Sequence, residues 1–225
     1  MSEIIILEND NPKTFFAPKK DKIFIYEDNI SSLININNIK KTILKKEIEI
    51  KKKYKDTDDG DTGLKDSLTS RFLHYNLYEW PGMSNLKSII KKAHDNFRDI
   101  LKLEKENKIY SQCWANVMRY GEKIKKHSHY YNSFTYLGGH ISIQTDNTST
   151  HYVNPYNKEI YSSKNEIGKI TLFPNWIEHY TDIHEGKDER ITIAFDIVDE
   201  QAYNLDIFDD KKYRWLQLKN DNWKI

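Results

Sequence analysis

The feature that most constrains the fold is a series of short strand-like segments in the second half of the chain. β-Branched and aromatic residues alternate with polar ones there, and Gly, Asn and Pro interrupt them at a spacing of roughly ten residues. The predicted strands are Ser111–Tyr120, Ser133–Leu137, His140–Gln144, Thr150–Val153, Lys169–Phe173 and Glu189–Val198. Short strands at this spacing are typical of an antiparallel β-sandwich or barrel.

The first half of the chain predicts further strands and two helices that support this β-structure. Apolar residues at helical spacing between polar ones indicate the helices, and short β-branched or aromatic runs indicate the strands. The predicted strands are Glu3–Leu7, Ile23–Tyr26 and Arg71–Trp80, and the predicted helices are approximately residues 31–54 and 86–101.

The chain contains no internal repeat and no linker that would separate domains, so residues 1–225 are predicted to form a single domain. Within it, residues 1–110 would support the β-structure, residues 111–199 would form its core, and residues 200–225 would pack back on that core. The apolar residues of this tail are Tyr213, Trp215, Leu216 and Trp223.

Composition and charge narrow the function classes. The 35 Lys and Arg residues against 34 Asp and Glu residues give a formal net charge of +1, which argues against the global basic field of a nucleic-acid binder. The single cysteine, Cys113, argues against a disulfide framework and a thiolate metal site. No apolar run reaches the length of a membrane span, and no secretory signal is visible. We therefore expect a cytoplasmic, intracellular protein.

Three histidines are the candidate metal ligands. His127 and His129 are two residues apart in an extended segment, so their side chains point to the same face. His179 follows a turn that contains Pro174, at a distance along the chain that only a folded sheet could close. Three imidazoles that converge on one face form a ligand set for a first-row metal such as iron.

Arg190 is the candidate anion-binding residue. It shares one face of the last predicted strand with Thr192, while the apolar residues between Ile191 and Ile197 occupy the other face. A buried guanidinium needs an anion, and Arg190 with Thr192 offers a fixed fork for a carboxylate. The alternative explanation for Arg190 is a structural salt bridge with a core carboxylate.

These motifs resemble those of a known enzyme family. The spacing of a Gly, His127-Ser-His129, a second Gly, Pro174 and His179 resembles the two motifs of double-stranded β-helix (cupin-type) proteins. The segments Trp114–Gly121, Leu172–His179 and Arg190–Phe195 are similar to the phage and bacterial Fe(II)/2-oxoglutarate-dependent oxygenases. The resemblance covers the C-terminal half of the chain. It implies an α+β, mainly β fold: a double-stranded β-helix, or jelly roll, with supporting N-terminal helices. The phage members leave a virus-encoded origin open.

The resemblance also implies an activity, an Fe(II)- and 2-oxoglutarate-dependent dioxygenase that hydroxylates its substrate. In that family 2-oxoglutarate chelates the iron, O2 takes the remaining position, and succinate and CO2 are released. The implied metal ligands are His127, His129 and His179, and Arg190 is the implied partner of the far carboxylate of 2-oxoglutarate. Thr192, Tyr136 and Asn116 are expected to assist Arg190, the latter two from predicted inward faces. The substrate class stays open between a protein side chain, a nucleobase and a small molecule.

Alternatives stay open at this stage. The broader superfamily usually has Asp or Glu at the position of His129, so only two histidines would bind in one alternative, with His140 or a nearby aspartate completing the site. The alternative functions are a metal-dependent cupin that uses no 2-oxoglutarate, and a metal-free jelly-roll binding or structural module.

Three further expectations concern the surroundings of the site. The polar loop Asp56–Asp66 is expected to border it, with Asp58, Asp59 or Asp61 near the substrate. Phe173 and Trp176 are expected to pack beneath it. Tyr130 and Tyr131 are candidates for its entrance, with burial in the core as the alternative.

Overall fold

The computed structural model describes residues 2–8, 21–55, 62–64, 66–104, 108–129, 136–205 and 214–219. Within these ranges the α-helices are α1 (Ile36–Lys53), α2 (Leu86–Ile100) and α3 (Glu200–Asn204). The strands are β1 (Glu3–Glu8), β2 (Lys22–Asn29), β3 (Ile109–Met118), β4 (Leu137–Gln144), β5 (Ser149–Val153), β6 (Ile160–Lys164), β7 (Lys169–Pro174), β8 (His179–Thr181), β9 (Arg190–Asp199) and β10 (Leu216–Leu218).

The strands form two antiparallel sheets. The large sheet has the order β1-β2-β7-β4-β9-β3-β10, and the small sheet has the order β6-β5-β8. Strands from the N-terminal region and from the tail therefore lie in the same sheet as the strands of the predicted core. The expected α+β, mainly β jelly roll with N-terminal helices is confirmed.

One face of the large sheet packs against α1 and α2 to form the main hydrophobic core. The contributing strand residues alternate with those of the opposite face, as the period of a strand requires. They include Cys113, Ala115 and Val117 of β3 and Ile191, Ile193, Phe195 and Ile197 of β9. Each fully buried Ile or Phe contributes about 1.5–3 kcal/mol relative to exposure, so this face supplies much of the stability. Burial also raises the pKa of the Cys113 thiol.

Helix α1 is fixed at both ends by its sequence. The side chain of Asn35 accepts a hydrogen bond from the backbone N–H of Asn38 at 3.0 Å and caps the N-terminus. Three lysines occupy the last turn, where positive charge is favourable. Buried Glu47 pairs with Arg119 at 2.8 Å, which ties α1 to the segment that follows β3.

The opposite face of the large sheet looks towards the small sheet. At one end the two sheets are in contact through a small apolar cluster that contains Ile25 of β2, Phe173 of β7 and Tyr152 of β5. Residues of both sheets, among them several candidate site residues, line a cavity of ≈ 370 Å³.

The prediction of a strand at Arg71–Trp80 was wrong. Residues Thr69–His74 and Leu77–Glu79 form two short 3-10 helices instead. Buried Arg71 donates hydrogen bonds to the carbonyl oxygens of Tyr54 and Ser67 and to Asp66. These bonds hold the segment in a tight turn beside the end of α1, a shape that an extended strand cannot provide.

The described part of the tail contacts the rest of the chain at two places. Trp215 is buried, and β10 pairs with β3. Tyr213 and Trp223 lie outside the described residues, as do Asp58, Asp59, Asp61, Tyr130 and Tyr131 and most of the predicted strand Ser133–Leu137.

Candidate metal centre

A short irregular segment places two of the three histidines. Residues 122–129 run alongside β8, and the backbone N–H of Thr181 donates to the carbonyl oxygen of Ile124 at 3.2 Å. Further along, His127 and His179 exchange a pair of backbone hydrogen bonds, 3.1 Å and 2.8 Å long. The two rings are therefore held side by side, with centroids 4.4 Å apart.

His129 completes the cluster from the same segment. Its backbone N–H donates to the carbonyl oxygen of Asn175 at 2.7 Å, which fixes the chain two residues after His127. Its ring centroid lies 5.1 Å from that of His127 and 5.2 Å from that of His179. One nitrogen from each of the three rings lies within 4.8 Å of the other two.

The hydrogen bonds of the three rings leave the same nitrogen available in each. Nδ1 of His127 lies 2.7 Å from the carbonyl oxygen of Lys125, and Nδ1 of His179 lies 3.0 Å from that of Ile177. Nδ1 of His129 lies 2.6 Å from Oδ1 of Asp196. Because these oxygens only accept, each Nδ1 carries a proton, so Nε2 is the nitrogen of each neutral ring that can bind a metal.

The charge states of the rings suit a metal. Burial, followed by the nearby His129, lowers the pKa of His127 to about 4. Burial and the two neighbouring imidazoles lower the pKa of His179 well below its usual value. Burial works against the charged form of His129 as well, but the charge and hydrogen bond of Asp196 outweigh it and raise its pKa. A donor set of three imidazole nitrogens, two of them held neutral near pH 7, fits a divalent first-row metal such as iron.

The cavity places these histidines opposite a polar and apolar wall. His127, His129 and His179 line it together with Arg190, Thr192 and Asn116. The facing wall comes from the segment with the first 3-10 helix: Thr62, Leu64, Thr69, Ser70, Phe72, Leu73 and His74. Among the described residues that line the cavity there is no carboxylate. Its charged lining group is the guanidinium of Arg190.

Arg190 places a buried positive charge in the cavity without an ion-pair partner among the described residues. Its side chain is 2 % exposed, its Nη1 contacts the sulfur of Met118 at 3.0 Å, and its Nε has no hydrogen-bond partner in the described part of the chain. Burial lowers the pKa of Arg190 to about 10. This guanidinium forms no ion pair with a carboxylate of the described residues. The geometry therefore does not support the alternative role of Arg190 in a structural salt bridge.

Asn116 and Thr192 lie beside Arg190 and are bonded to each other. Nδ2 of Asn116 donates to the hydroxyl oxygen of Thr192 at 3.3 Å. The hydroxyl of Thr69, on the facing wall, donates to Oδ1 of Asn116 at 2.5 Å. Because Thr192 accepts from Asn116, its own O–H is free to donate to a ligand in the cavity.

The expectation that Tyr136 assists Arg190 is not met by the geometry. Tyr136 does not line the cavity, and its hydroxyl bonds Nε2 of His94 at 2.9 Å and Nη1 of Arg98 at 2.8 Å. The inward face was inferred by extending the alternation of a predicted strand, but β4 begins only at Leu137. One residue before it, the side chain turns towards α2.

Of the two aromatic residues expected beneath the site, one lines the cavity and the other does not. Phe173 is buried and lines the cavity, and its ring packs at a tilt against that of His179, with centroids 4.7 Å apart. Trp176 is 37 % exposed and lies in the turn between β7 and β8, away from the cavity. Of the polar loop expected to border the site, the described residues Thr62 and Leu64 do line the cavity.

Two residues near the site, Asp196 and His140, were not predicted or had another predicted role. Asp196 is fully buried on β9 and bonds His129. His140, considered as a substitute ligand, is not part of the three-histidine cluster; its Nε2 bonds the hydroxyl of buried Tyr152 at 2.8 Å. Burial, then the positive charge of Arg190, lowers the pKa of His140 to about 3. The strand period could have found Asp196, because it shares its face with Arg190 and Thr192.

A family match covers the segment that builds this site. Residues 112–196 match the family model described as a putative 2OG-Fe(II) oxygenase. The match includes all three histidines and Arg190, and it ends at Asp196. The resemblance to the Fe(II)/2-oxoglutarate-dependent oxygenases identified in the sequence is confirmed for this part of the chain.

Solved structures with similar folds have low sequence identity. A 2OG-Fe(II) oxygenase-family oxidoreductase from Burkholderia pseudomallei is 14 % identical, with 52 % of this chain and 56 % of that chain covered and a TM-score of 0.44. A Pseudomonas putida prolyl-4-hydroxylase is 8 % identical (54 % and 67 % covered, TM-score 0.41). The non-heme monooxygenase ThoJ, as its Ni complex, is 10 % identical (73 % and 68 % covered, TM-score 0.45). This chain thus spans little more than half of the Burkholderia protein.

No curated protein sequence matches the chain. In the described residues, no helix combines the length and the apolar character needed to cross a membrane.

Proposed function

We propose that the protein is an Fe(II)- and 2-oxoglutarate-dependent oxygenase that hydroxylates a substrate bound in the cavity. His127, His129 and His179 would hold the iron through their Nε2 atoms, and Arg190 would bind the far carboxylate of 2-oxoglutarate. The cosubstrates are 2-oxoglutarate and O2, and the substrate class stays open between a protein side chain, a nucleobase and a small molecule.

One observation supports this proposal above the others: the unpaired guanidinium of Arg190 shares a cavity with three imidazoles whose free nitrogens converge. A buried cation without an ion-pair partner is costly unless an anion binds to it. A metal cluster alone would not require this arginine. A cosubstrate that carries one carboxylate to the metal and a second to Arg190 accounts for both features.

The residues around the site have separate tasks in this proposal. Arg190 orients the cosubstrate by a bidentate or charge-assisted hydrogen bond, and the free O–H of Thr192 donates to the same carboxylate. Asn116 keeps Thr192 in place and is itself held by Thr69 from the facing wall. Phe173, Trp114 and Leu64 limit the access of water to the cavity.

Iron with 2-oxoglutarate supplies the oxidation of the substrate by O2, with succinate and CO2 as by-products. The chain supplies the geometry. Its histidines are held in one tautomer by hydrogen bonds from Nδ1, and the pair His127–His179 is held by backbone hydrogen bonds. Such pre-organisation keeps the ligand nitrogens aligned before any ion arrives.

The test is to supply the purified protein with Fe(II), 2-oxoglutarate and O2 and to measure succinate. We expect succinate release that requires both Fe(II) and O2. The variant Arg190→Gln should weaken 2-oxoglutarate binding by about 100-fold, because truncating a charge pair in a buried site costs about 2–5 kcal/mol.

Arg119→Gln is the matched control for this variant. Arg119 also pairs with a carboxylate, but its partner is Glu47 of α1 and it does not line the cavity. Its loss should leave 2-oxoglutarate binding unchanged. Succinate release that persists undiminished in Arg190→Gln at low 2-oxoglutarate would contradict the role of Arg190. Wild-type protein that binds Fe(II) but releases no succinate would favour a metal-dependent cupin without this cosubstrate. A wild-type protein that binds no divalent metal would favour a metal-free binding module.

A further inference from the structure

The three candidate ligands are imidazoles, so they would not offset the positive charge of a bound metal ion. Non-heme Fe(II) oxygenases typically bind iron with two histidines and one carboxylate, which removes one of the two positive charges of the ion. Here the third position is His129, and the described residues that line the cavity include no Asp or Glu. With Arg190 in the same cavity, bound iron would leave an excess of positive charge in a buried site.

A carboxylate lies behind the candidate ligand His129, in contact with its ring but outside the cavity lining. Asp196 is fully buried on β9, and its Oδ1 lies 2.6 Å from Nδ1 of His129, the nitrogen opposite the one that faces the metal position. Its Oδ2 accepts a hydrogen bond from Nε2 of Gln112 at 3.0 Å. Neither His127 nor His179 has such a partner, because their Nδ1 atoms donate to backbone carbonyl oxygens.

We propose that Asp196 acts through His129 as the anionic member of the metal site. By accepting the Nδ1 proton in a charge-assisted hydrogen bond, the carboxylate increases the electron density on Nε2 and makes His129 the strongest donor of the three. It also supplies, across one imidazole ring, the negative charge that a ligating carboxylate would bring. Asp196 is in this sense a positioning and tuning residue. The inference rests on the proposed function.

The charges of the complete site then balance. A ferrous ion and Arg190 bring positive charge, and the two carboxylates of 2-oxoglutarate together with Asp196 bring an equal negative charge. Asp182, whose charge also acts on Arg190, lies outside the cavity lining and is partly exposed, so solvent screens it. Without Asp196 the assembled site would keep a net positive charge in a low-dielectric environment, which is costly.

The experiment replaces the charge and keeps the shape. Asp196→Asn retains an oxygen that accepts from Nδ1 of His129. Its new amide N–H can donate to Oε1 of Gln112, which has no partner among the described residues, once the Gln112 amide is rotated. The variant is therefore expected to fold, and circular dichroism and thermal unfolding of the metal-free protein will verify that.

The chain contains a matched control pair. Asp182 bonds Nε2 of His151 at 2.7 Å, but this histidine does not line the cavity and is not part of the metal cluster. Asp182→Asn removes a carboxylate from a second His–Asp pair, which is bonded through Nε2 of the histidine and is more exposed, without touching a candidate ligand.

Metal affinity is the first readout, measured anaerobically by calorimetry with Fe(II) and in air with Co(II) alone, whose visible spectrum reports on its ligands. We expect Asp196→Asn to bind both metals about 10–100-fold more weakly than wild type, the range typical for partners of ligating histidines, and to shift the Co(II) bands. Asp182→Asn should match wild type. Asp196→Asn that binds both metals within threefold of wild type would overturn the inference while leaving the proposed function intact. Wild-type protein that binds neither metal would overturn both.

A second readout needs no variant to fold. In ¹⁵N-histidine-labelled, metal-free wild-type protein, we expect His127, His129 and His179 all to carry the proton on Nδ1. The Nδ1–H resonance of His129 should lie furthest downfield, because its acceptor is charged. A His129 ring that carries its proton on Nε2 would contradict the inference directly, whatever the behaviour of the variants.

Discussion

The two faces of strand β9 are built on opposite principles. On the side of α1 and α2, Ile191, Ile193, Phe195 and Ile197 interlock with other apolar side chains. On the side of the small sheet the same strand presents Arg190, Thr192, Ala194 and Asp196, all of them buried as well. Consecutive residues thus differ in what burial does for them. Burial of the apolar residues stabilises the fold, whereas burial of the polar residues on the other face costs free energy.

The difference shows how the molecule separates stability from its site. Polar atoms without partners concentrate on the side of the small sheet: Arg190 Nε, His140 Nδ1 and Gln112 Oε1 are examples in the described residues. Under the proposed function, these atoms would stay unpaired until a metal and an anion bind. The helix-facing side must compensate for that cost. Substitutions on the helix-facing side should therefore mainly lower stability, whereas substitutions on the cavity side should mainly lower ligand affinity.

The largest effect is expected on the helix-facing side. Phe195→Ala removes a fully buried ring from the main core and should lower the free energy of unfolding by about 3–5 kcal/mol. Urea unfolding followed by circular dichroism measures it. Below the unfolding transition, the metal affinity per folded molecule should stay near that of wild type. A loss of metal affinity without a loss of stability would break the proposed division between the faces.

The neighbouring glycines of β4 sharpen the comparison. A Cβ at Gly139 would meet the ring of Phe195 and lie 2.7 Å from the carbonyl oxygen of Thr171, whereas at Gly138 the nearest atoms, in Phe173, are 3.2 Å away. Gly139→Ala should therefore cost about 1–3 kcal/mol by overpacking, and Gly138→Ala distinctly less. Thermal unfolding of both variants, side by side, checks the order. Equal losses would mean that the two faces tolerate added volume alike.

A smaller effect of opposite sign is expected at Arg190. Arg190→Met keeps most of the side-chain volume but removes a buried charge that has no ion-pair partner. Without ligands, the free energy of unfolding should rise by about 1 kcal/mol or stay unchanged, since apolar replacements of buried charges are often neutral or stabilising. Calorimetric unfolding of metal-free protein is the measurement. A marked loss of stability would show that Arg190 serves the fold.

The smallest effect is expected at Thr192. Thr192→Val keeps the shape and removes the hydroxyl that accepts from Asn116 and can donate to a cosubstrate carboxylate. The affinity for 2-oxoglutarate should fall about fivefold, equivalent to roughly 1 kcal/mol for one hydrogen bond. Anaerobic titration with Fe(II) bound measures it. Ser at the same position should restore the affinity; an affinity that stays low in Thr192→Ser would assign the effect to packing.

Much of this arrangement was accessible from the sequence because it depends on local periods. The alternation of β9 correctly separates Arg190 and Thr192 from the apolar residues between them. The helical spacing gave α1 and α2 to within a few residues of their ends. The proximity of His179 to His127 followed from motif spacing and is reproduced by their backbone hydrogen bonds.

The rest depends on contacts between distant residues that no local pattern encodes. Strands β6 and β8 are short and polar, so they carry little strand signal and owe their shape to pairing with β5. Arg71 draws its segment into 3-10 turns through bonds to Tyr54. The partnership of Asp196 with His129 joins residues far apart in the chain, and the alternation could show only that Asp196 faces inward.

The position of Cys113 gives this chain an internal reporter. The thiol lies on the helix-facing side of β3, with the sheet between it and the cavity, and burial raises its pKa. A thiol-specific reagent can therefore modify it only when β3 separates from the helices. The rate of labelling would measure how often the sheet opens, and it should slow when metal and 2-oxoglutarate together hold β9 and its neighbours in place.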